Sequence, residues 1–575
     1  MFRLFKYIKN YKKESILAPL FKFLEASFEL LIPLVMVRII DIGIKNRDIE
    51  YVKKMSIIMV ILGIIGLLCS LVAQFFAAKA AVGFGSSIRR DLFQHIQSLS
   101  YNEIDKIGSS TMITRLTSDV NQIQTGFNLL LRLFLRSPCI VFGAMVMAFT
   151  INMKAAFVFV VTIPVISVFV LALMIISIPI YKKVQNKLDK VLLLTKENLA
   201  GVRVIRAFNR QKDESEAFES ASSDLVKTQL MGGNISALLN PFTYVMINLA
   251  IVTLVWIGGK QVYKGIITQG EVVALVNYMS QILVELVKLA FLIIMLTKSL
   301  ACGNRVNQLL QEEASVVDTA ETKIIPKDGP SVEFKDVGFL YQGAKEEALS
   351  NLTFVANKGQ TIGVIGGTGS GKSSLVNLIP RFYDVISGEV LVNGVNVKEY
   401  SLQQLRSKIG IVPQKAVLFR GTIRENMRWG KKDATDKEIW EALEIAQAKE
   451  IVELKDGGLD ALVLQEGKNL SGGQRQRLTI ARALVKKPEI LILDDSSSAL
   501  DYATDAKLRR AIQTISSNTT VFLVSQRAAT IKNADKILVL DDGKIVGSGT
   551  HEQLILNCEV YQEICLSQLS KEEVQ

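Results

Sequence analysis

The sequence predicts an α-helical transmembrane bundle of six spans, followed by an α/β domain that carries a phosphate-binding loop. Three observations support this prediction. Six apolar runs precede residue 300, and each is long enough to cross a bilayer, which takes about 20 residues. From Ser331 onward, strand and helix patterns alternate with glycine-rich turns, as in domains built on a largely parallel sheet. A glycine-rich segment at 366–373 fits the phosphate-loop pattern G-x-x-x-x-G-K-S.

The composition agrees with a chain that is part membrane bundle and part soluble domain. Its 575 residues are 49% hydrophobic and 21% charged, and its mean hydropathy of +0.30 is high for a soluble protein and low for a pure membrane bundle. The net charge of +12 is compatible with nucleic-acid binding or with the cytoplasmic face of a membrane protein. Two histidines and five scattered cysteines argue against a histidine-rich metal site and a disulfide framework, so the cysteines are expected to be free thiols.

The apolar runs define the predicted spans and their orientation. We place the spans at about 15–42, 55–81, 129–151, 155–180, 240–257 and 272–296. The connections 82–128 and 181–239 are long, rich in Lys and Arg, and retain helical periodicity. The positive-inside rule therefore places these loops and both termini in the cytoplasm of a multi-pass plasma-membrane protein, with the spans extended as rods. Soluble core helices are the alternative for any single run.

Residues 1–14 are basic, with Phe and Tyr interleaved, and they lack the cleavage site of a signal peptide. They predict a short interfacial helix on the cytoplasmic face, with a solvated basic start as the alternative. At the other end of the bundle, residues 299–330 are polar and contain Pro326 and the pair Gly329-Pro330, which is typical of a linker. The predicted domains are therefore 1–320 and 321–575.

Several charged residues lie within the predicted spans. Glu25 and Glu29 are four residues apart and share one face of the first span, and Asp41 lies at its external end. Because an unpaired carboxylate is costly at mid-span depth, Glu29 and Glu285 predict a water-filled cavity that attracts amphipathic cations. In the alternative interpretations, Glu285 only pairs with Lys288 along one helix face, and Glu25 and Asp41 reach the interface.

The phosphate-binding loop lies between a predicted strand at 360–365 and a helix predicted from Ser374. Its residues are Gly366, Gly367, Thr368, Gly369, Ser370, Gly371, Lys372 and Ser373. The glycines let backbone N–H groups converge on phosphate oxygens, and the helix N-terminus adds positive potential. Lys372 is expected to neutralise the β- and γ-phosphates, and Ser373 is expected to offer its hydroxyl to Mg²⁺.

Two further segments extend this site. The predicted strand at 490–495 has four apolar residues before Asp494 and Asp495, as in a strand buried on both faces. Asp494 is expected to hold Mg²⁺ directly or through water. A second anion-receptive helix start consists of Leu470, Ser471, Gly472, Gly473 and Gln474. Because the chain already has one phosphate loop, this segment is expected to serve a nucleotide bound mainly by another chain. An ordinary helix start is the alternative.

With these motifs, the chain resembles the ATP-binding cassette (ABC) transporters, specifically their exporter-type half-transporters, over nearly its whole length. Residues 470–474 resemble the signature sequence of that family. The resemblance implies ATP and Mg²⁺ as cofactors, with Tyr341 stacked on adenine and Gln414 sensing Mg²⁺ and facing the membrane domain. It also identifies 498–501, with Asp501, as the D-loop. For Tyr341, an aromatic residue in the strand core is the alternative.

The resemblance also covers the cytoplasmic loops. Residues 197–214 are similar to the second cytoplasmic loop of these exporters, so the stretch 208–211 is expected to form a coupling helix. The other coupling helix is expected near 104–114.

Two positions depart from the family pattern. Asp495 stands where the family usually has the Glu that polarises the attacking water, and its carboxylate is one methylene shorter. A misplacement of about 1 Å can cost 10²-fold in rate. Gln526 stands where the family usually has a His that contacts the γ-phosphate, and a neutral amide cannot take that charged role. The phosphate loop is therefore predicted to bind MgATP but to hydrolyse it poorly, while the signature with Ser471 is intact.

These features predict one half of a heterodimeric multidrug-type exporter, whose partner is a second ABC half-transporter. The chain would supply a degenerate ATP site of its own and its signature to the catalytic site of the partner. A lipid or peptide exporter and a sluggish homodimer remain alternatives within transport. From other classes, an ATP-gated channel or regulator remains open, whereas the six spans argue against a soluble ATPase acting on nucleic acid.

Overall fold

The computed structural model describes residues 2–318, 329–515 and 518–568. The chain forms two compact units, one of Met1–Gln97 with Ser110–Gln311 and one of Ser98–Ser109 with Glu312–Gln575. The predicted domain boundary at 320/321 lies outside the described residues. The segment 98–109 therefore belongs by its contacts to the α/β unit, although it lies among the helices in sequence.

The first half of the chain is helical. Its helices are α1 (Lys12–Arg38), α2 (Ile49–Ser98), α3 (Tyr101–Ile107), α4 (Ser109–Thr114), α5 (Val120–Leu133), α6 (Arg136–Ile151), α7 (Met153–Ala207), α8 (Gln211–Ala237), α9 (Leu239–Tyr263) and α10 (Gln269–Leu309). A 3₁₀ helix at Phe2–Tyr11 precedes α1, and wider π-helical turns occupy Ile39–Ile44 and Arg115–Asp119. The predicted N-terminal helix is present, whereas its position at a membrane surface stays a prediction.

Five of the predicted spans lie in helices that are long and apolar enough to cross a membrane. These helical stretches are Ile49–Ser98, Ser109–Ile151, Met153–Ala207, Gln211–Tyr263 and Gln269–Leu309. The first predicted span, 15–42, is helical, but every 18-residue stretch of it contains at least three charged residues. Six helices therefore occupy the predicted positions, and five of them meet the apolar criterion for a span. The long helices α2 and α7 extend well past a bilayer's width, as the periodicity of the two long loops predicted.

Two local predictions were wrong. The linker predicted from residue 299 begins later, because α10 continues to Leu309 and buries Cys302 and Val306 on one face. The coupling helix predicted at 208–211 is a tight turn, in which Asn209 has φ of +55° and joins α7 to α8. Asn tolerates this left-handed conformation better than most residues, which ends the helix. The other predicted coupling segment is helical, in α3 and α4. All five cysteines are free thiols, as expected.

The second half of the chain contains three sheets, ten α-helices and two short 3₁₀ helices in its described part. The strands are β1 (Val332–Phe339), β2 (Leu349–Ala356), β3 (Thr361–Gly366), β4 (Ser387–Val392), β5 (Val395–Asn396), β6 (Ile409–Val412), β7 (Gly421–Thr422), β8 (Leu462–Val463), β9 (Ile490–Asp494), β10 (Thr520–Val524), β11 (Lys536–Asp541) and β12 (Lys544–Gly549). The helices are α11 (Lys372–Leu378), α12 (Leu402–Lys408), α13 (Ile423–Arg428), α14 (Asp436–Ile445), α15 (Lys449–Glu453), α16 (Gly472–Leu484), α17 (Tyr502–Ile515), α18 (Ala528–Ile531), α19 (His551–Asn557) and α20 (Glu559–Gln568).

The predicted parallel sheet forms the centre of this unit. Its order is β12-β11-β3-β10-β9-β6, and all neighbours are parallel except the edge pair β11 and β12. Every residue of β9 is buried, as its unbroken apolar run predicted. A separate antiparallel sheet, β2-β1-β4-β5, packs its Phe and Val side chains into the same core. In the register, Val524 pairs with both Val364 and Asp494, so the ends of β3, β10 and β9 meet at one edge of the sheet.

Candidate nucleotide-binding site

The phosphate loop leaves β3 and turns into α11, which begins at Lys372, two residues before the predicted start. Gly369 and Gly371 have φ of +85° and +95°, a conformation that side chains disfavour. A Cβ on Gly371 would also lie 2.6 Å from Leu349 Cδ2. Residues 367–369 are exposed, whereas Ser370 is buried. The loop therefore presents its backbone to solvent over a tightly packed base.

Lys372 lies across this loop. Its Nζ donates to the carbonyl oxygens of Gly366 at 3.0 Å and Gly367 at 2.5 Å. Burial lowers the pKa of Lys372, and the charges of Asp495 and Asp494 oppose that change. The described hydrogen bonds of this ammonium go to neutral groups, so it retains the capacity to neutralise an anion.

Ser373 and Asp494 are brought together, as predicted. Ser373 Oγ donates to Asp494 Oδ1 at 3.1 Å, and the residue Asp494 is 7% exposed. Burial raises the pKa of Asp494, and the neighbouring charge of Asp495 raises it further. The Ser373 hydroxyl and the buried Asp494 carboxylate are neighbouring oxygen ligands. Hard divalent cations prefer oxygen ligands of this kind.

The two positions that depart from the family pattern lie at the same edge of the sheet. Asp495 follows β9 with φ of +45°, and its backbone N–H donates to the Val524 carbonyl at 3.0 Å. Gln526 is exposed two residues beyond β10, and its carbonyl accepts from Gln568 Nε2 at 2.7 Å. Gln414, which is also exposed, lies two residues beyond β6, the strand beside β9. The sheet register therefore gathers Asp494, Asp495, Gln526 and Gln414 along one edge.

Tyr341 is half-buried and makes one side-chain hydrogen bond and two aromatic contacts. Its hydroxyl is 2.9 Å from Ser374 Oγ, and its ring packs edge-on against Phe339 and Tyr383 at 4.6 and 5.3 Å between centroids. Tyr341 lies two residues beyond β1 and packs, partly buried, against the core of the α/β unit. Stacking on adenine stays a prediction.

The signature segment faces outward. Ser471 caps α16, because its Oγ accepts from the Gln474 N–H at 3.3 Å while Gln474 Oε1 accepts from the Ser471 N–H at 3.0 Å. Leu470 is buried and anchors the segment, whereas Ser471 and Gly472 are exposed. A Cβ on Gly473 would lie 3.1 Å from the Ala499 carbonyl oxygen, so the signature packs closely on the D-loop.

Asp501 has a structural role at the next helix. Its Oδ1 accepts from the Thr504 N–H at 2.9 Å, and this bond lowers the pKa of Asp501. The carboxylate therefore stabilises the start of α17 and fixes the D-loop beside the signature.

Arg136, which the sequence analysis did not single out, forms ion pairs with acidic residues of two other helices. Arg136 on α6 contacts Glu285 at 2.5 Å, Glu29 at 2.8 Å and Glu25 at 3.6 Å. Ser137 Oγ and Lys288 Nζ also donate to Glu285, at 2.7 and 2.8 Å. The alternative pairing of Glu285 with Lys288 is therefore present, whereas the ion pairs of Arg136 were not predicted; such pairing is what stabilises a buried charge. Arg136 lies within the predicted third span, so a basic residue in an apolar run was the available signal.

We call this group, with Lys22 bound to Glu25 at 2.6 Å, the Arg136 cluster. It contains three acids and three bases and is therefore neutral. A cavity of about 440 Å³ opens beside it. The cavity is lined by Glu29, Ile32, Pro33, Met36, Ile140, Asn277, Ser280, Gln281, Val284, Glu285 and Lys288.

The chain begins with long apolar helices and continues with a phosphate loop, an acidic strand end and an exposed signature. Together these features define one half of an ATP-binding cassette transporter. Comparison with known families agrees. The model of the ABC transporter transmembrane region matches residues 15–320, and the ABC transporter model matches residues 349–498. The chain belongs to the ABC transporter family, with the architecture of an exporter half-transporter.

Its relatives cover the full length. The chain is 36% identical over 566 residues to the uncharacterized ABC transporter ATP-binding protein YfiB of Bacillus subtilis, covering 98% of both chains. It is 35% identical over 570 residues to the uncharacterized ABC transporter ATP-binding protein MT1311 of Mycobacterium tuberculosis, covering 98% of this chain and 97% of the relative. Among solved structures, a bacterial Atm1-family ABC exporter with ATP bound has the same fold, with a TM-score of 0.82 and 23% identity over 97% of this chain and 99% of that one.

Proposed function

We propose that this ABC exporter chain is the degenerate-site half of a heterodimer that exports amphipathic small molecules across the plasma membrane. One observation carries the proposal. Asp495 and Gln526 stand beside an otherwise well-formed phosphate loop, while Ser471 of the intact signature is exposed. A chain built in this way binds ATP on one face and completes a second site with the other.

The chain's own site is suited to holding ATP. Lys372 would exchange its carbonyl partners for the β- and γ-phosphates, and exposed loop N–H groups would bind phosphate oxygens. Ser373, Asp494 and Gln414 would hold Mg²⁺, which supplies charge neutralisation between the phosphates when bound. The short side chain of Asp495 would leave the attacking water poorly positioned, and Gln526 offers no positive charge toward the γ-phosphate. ATP is therefore retained rather than rapidly hydrolysed.

The signature would serve the second site. Ser471 Oγ and the exposed N-terminus of α16 would donate to the γ-phosphate of ATP bound by the partner half-transporter. There water attacks the γ-phosphorus, the bond to the β–γ bridging oxygen breaks, and ADP and phosphate leave. The partner would provide the catalytic Glu and His that this chain lacks.

The orientation follows from charge. Both termini and the α/β unit would lie in the cytoplasm, where ATP is available, because Lys and Arg are concentrated in 82–128 and 181–239. The first helix, α1, would complete six spans, since Lys22, Glu25 and Glu29, the charges in the middle of its apolar run, are paired in the Arg136 cluster.

The cargo preference differs from the first expectation. The Arg136 cluster is neutral, and its cavity-facing members include Glu29 and Lys288, whose side chains are 36% and 41% exposed. This balance removes the basis for selecting cations, so the proposed cargo is amphipathic without a required net charge. Lipids and peptides remain within this class.

The cargo proposal predicts a specific result for the double variant Glu29→Gln with Glu285→Gln. It leaves Arg136 with Glu25 alone and changes the cluster from neutral to a net charge of +2, so we expect a lower melting temperature together with a modest fall in the ratio of cationic to neutral dye efflux in vesicles. Selective loss of cationic efflux at unchanged stability would instead restore the cation preference.

The assembly experiment tests the main proposal. The chain is purified alone and with a co-expressed half-transporter encoded next to it, and ATP turnover of both samples is measured. We expect weak turnover by the chain alone, below the pair by about 100-fold or more. Comparable turnover by both samples would favour the sluggish homodimer and overturn the heterodimer.

A further inference from the structure

A groove of about 820 Å³ runs along the C-terminal half of α9 and shares no residue with the Arg136 cluster. The spacing of its residues by three and four places them on one face of the helix. Most of this face is exposed, including Trp256 at 66% and Tyr263 at 93%. The groove is lined by Ile251, Val252, Val255, Trp256, Gly259, Lys260, Tyr263 and Lys264.

The chemistry of this face changes along the helix in a fixed order. Its apolar end, at 251–255, lies inside the predicted fifth span, 240–257. Trp256 follows near the end of that span, and Lys260 Nζ lies 4.7 Å from the centroid of its ring. Aliphatic, aromatic and then basic groups follow each other in this way where a helix leaves the acyl chains of a bilayer and reaches the headgroups. The groove therefore matches the two parts of a phospholipid at a membrane interface.

The two lysines of the groove have no acidic partner. No Asp or Glu occurs in 225–270, and neither lysine belongs to an ion pair among the described residues. The acid that follows, Glu271, accepts from the Thr268 N–H at 2.8 Å and caps α10. The Trp256 ring attracts the Lys260 ammonium without neutralising it. Because the connection from α9 to α10 is predicted to be external, the positive-inside rule does not account for these lysines either. Their charge is complementary to an anion that also carries apolar chains.

Gly259 leaves the middle of the groove open. It lies on the same face as Val255 and Tyr263, four residues from each, and a Cβ built on it would meet no atom within 4 Å. The position has an ordinary helical conformation, in which glycine is less favourable than alanine. A larger side chain at Gly259 would therefore fill the groove without disturbing the packing of the protein.

We propose that this groove binds an anionic phospholipid. Lys260 and Lys264 donate to its phosphate, and its acyl chain packs past Gly259 against the exposed side of Trp256. A phosphatidylcholine headgroup carries a positive charge of its own, which weakens its attraction to the two lysines. The charge of the headgroup therefore decides the preference. This inference needs only that α9 crosses a bilayer, and it is independent of the nucleotide site and of the heterodimer.

The experiment measures which lipid lies beside Trp256 in the full-length protein, reconstituted in mixed vesicles of phosphatidylglycerol and phosphatidylcholine. The chain has three tryptophans, and the other two, Trp429 and Trp440, belong to the α/β unit and are replaced by Phe. Brominated acyl chains quench a neighbouring tryptophan, so brominating one lipid and then the other gives the occupancy of each. With Lys260 and Lys264 intact, we expect phosphatidylglycerol to be preferred by about fivefold or more.

Two variants test the charges and the groove separately. Lys260→Gln with Lys264→Gln should remove the preference, so that both lipids quench Trp256 equally. Gly259→Leu keeps both charges but fills the groove, and it should lower the preference to less than about twofold. A diffuse attraction between the lysines and an anionic membrane surface would not depend on the open space at Gly259.

Each variant has a matched control on α2. Lys53→Gln with Lys54→Gln removes two exposed lysines at the start of α2, which is predicted to lie on the same side of the membrane. Gly66→Leu adds the same side chain at another helical glycine whose Cβ would meet no atom within 4 Å. Both controls should keep the preference of the protein that carries the intact groove.

Four results would overturn the lipid site. The first is equal quenching by both lipids when the groove is intact. The second is a preference that survives the loss of both groove lysines or the substitution of Gly259. The third is an equally large fall in the Lys53 and Lys54 control, which would assign the preference to general surface charge. The fourth is the absence of quenching by either lipid, which would show that protein covers this face of α9.

Discussion

The phosphate loop and the signature lie on two faces of the α/β unit. These faces differ in how closely their residues follow the family pattern. On the first face, Lys372 and Asp494 are buried and correctly placed, but Asp495 and Gln526 depart from the residues that hydrolysis favours. On the second face, Ser471 keeps a complete capping box and is exposed. The difference teaches that the residues proposed for ATP binding and those proposed for hydrolysis are separate, so variants can test the two roles independently.

The largest expected effect comes from the signature face. In the complex with the partner, Ser471→Ala should lower ATP turnover by about 100-fold or more, because one donor to the transferring phosphate is removed. Asp495→Ala should lower it much less. Turnover of the purified complex checks both variants, and equal losses would show that the two faces have been assigned wrongly.

Loss of the helix cap is a separate effect of the same substitution. Thr435→Ala serves as the control, because Thr435 caps α14 with the same arrangement as Ser471 on α16. It should cost about 1 kcal/mol of stability and leave turnover unchanged. A similar fall in turnover in this control would assign the Ser471 effect to folding.

An intermediate effect is expected from repairing the phosphate-loop face. Asp495→Glu combined with Gln526→His should raise the turnover of the chain alone by about tenfold or more, because it restores a longer base and a charge near the γ-phosphate. Each single change should give less than the pair. Unchanged turnover in the double variant, with ATP still bound, would mean that other residues limit hydrolysis at this site.

The smallest expected effect is a pH dependence of cation binding at Asp494. Burial raises its pKa, so protonation competes with Mg²⁺ at a higher pH than for an ordinary Asp. Mg²⁺-dependent nucleotide affinity should therefore fall as the pH is lowered from about 8 to about 5.

The stability of the protein without nucleotide and Mg²⁺ should instead rise as the pH is lowered. A raised carboxyl pKa in the folded state contributes stability at low pH that is lost as the pH rises through that pKa. Asp494→Asn should remove both dependences, which calorimetry and thermal melting can measure. The same pH profile in wild type and Asp494→Asn would assign the effect to other groups.

Local patterns in the sequence predicted most of the binding face. The phosphate loop, the buried strand β9 and the glycines of the signature depend on residues close together in the chain, so their geometry follows from spacing. The register of the parallel sheet then brought Asp494 beside Ser373, as expected for strand ends that share an edge. The turn at 208–210 was missed, because one left-handed Asn decides it and helical periodicity continues on both sides.

By itself, the sequence determined the family, the order of the two parts, the five helices that are long and apolar enough to cross a membrane, and the phosphate-loop and signature motifs. Only the tertiary structure decided the contacts between residues distant in the chain. Arg136 neutralises acids from two other helices, Tyr341 bonds to Ser374, and Tyr383 holds Asp105, which is 278 residues away. The physical reason is that periodicity reports which side of an element is buried, whereas the partner of a buried charge or hydroxyl depends on which elements pack together.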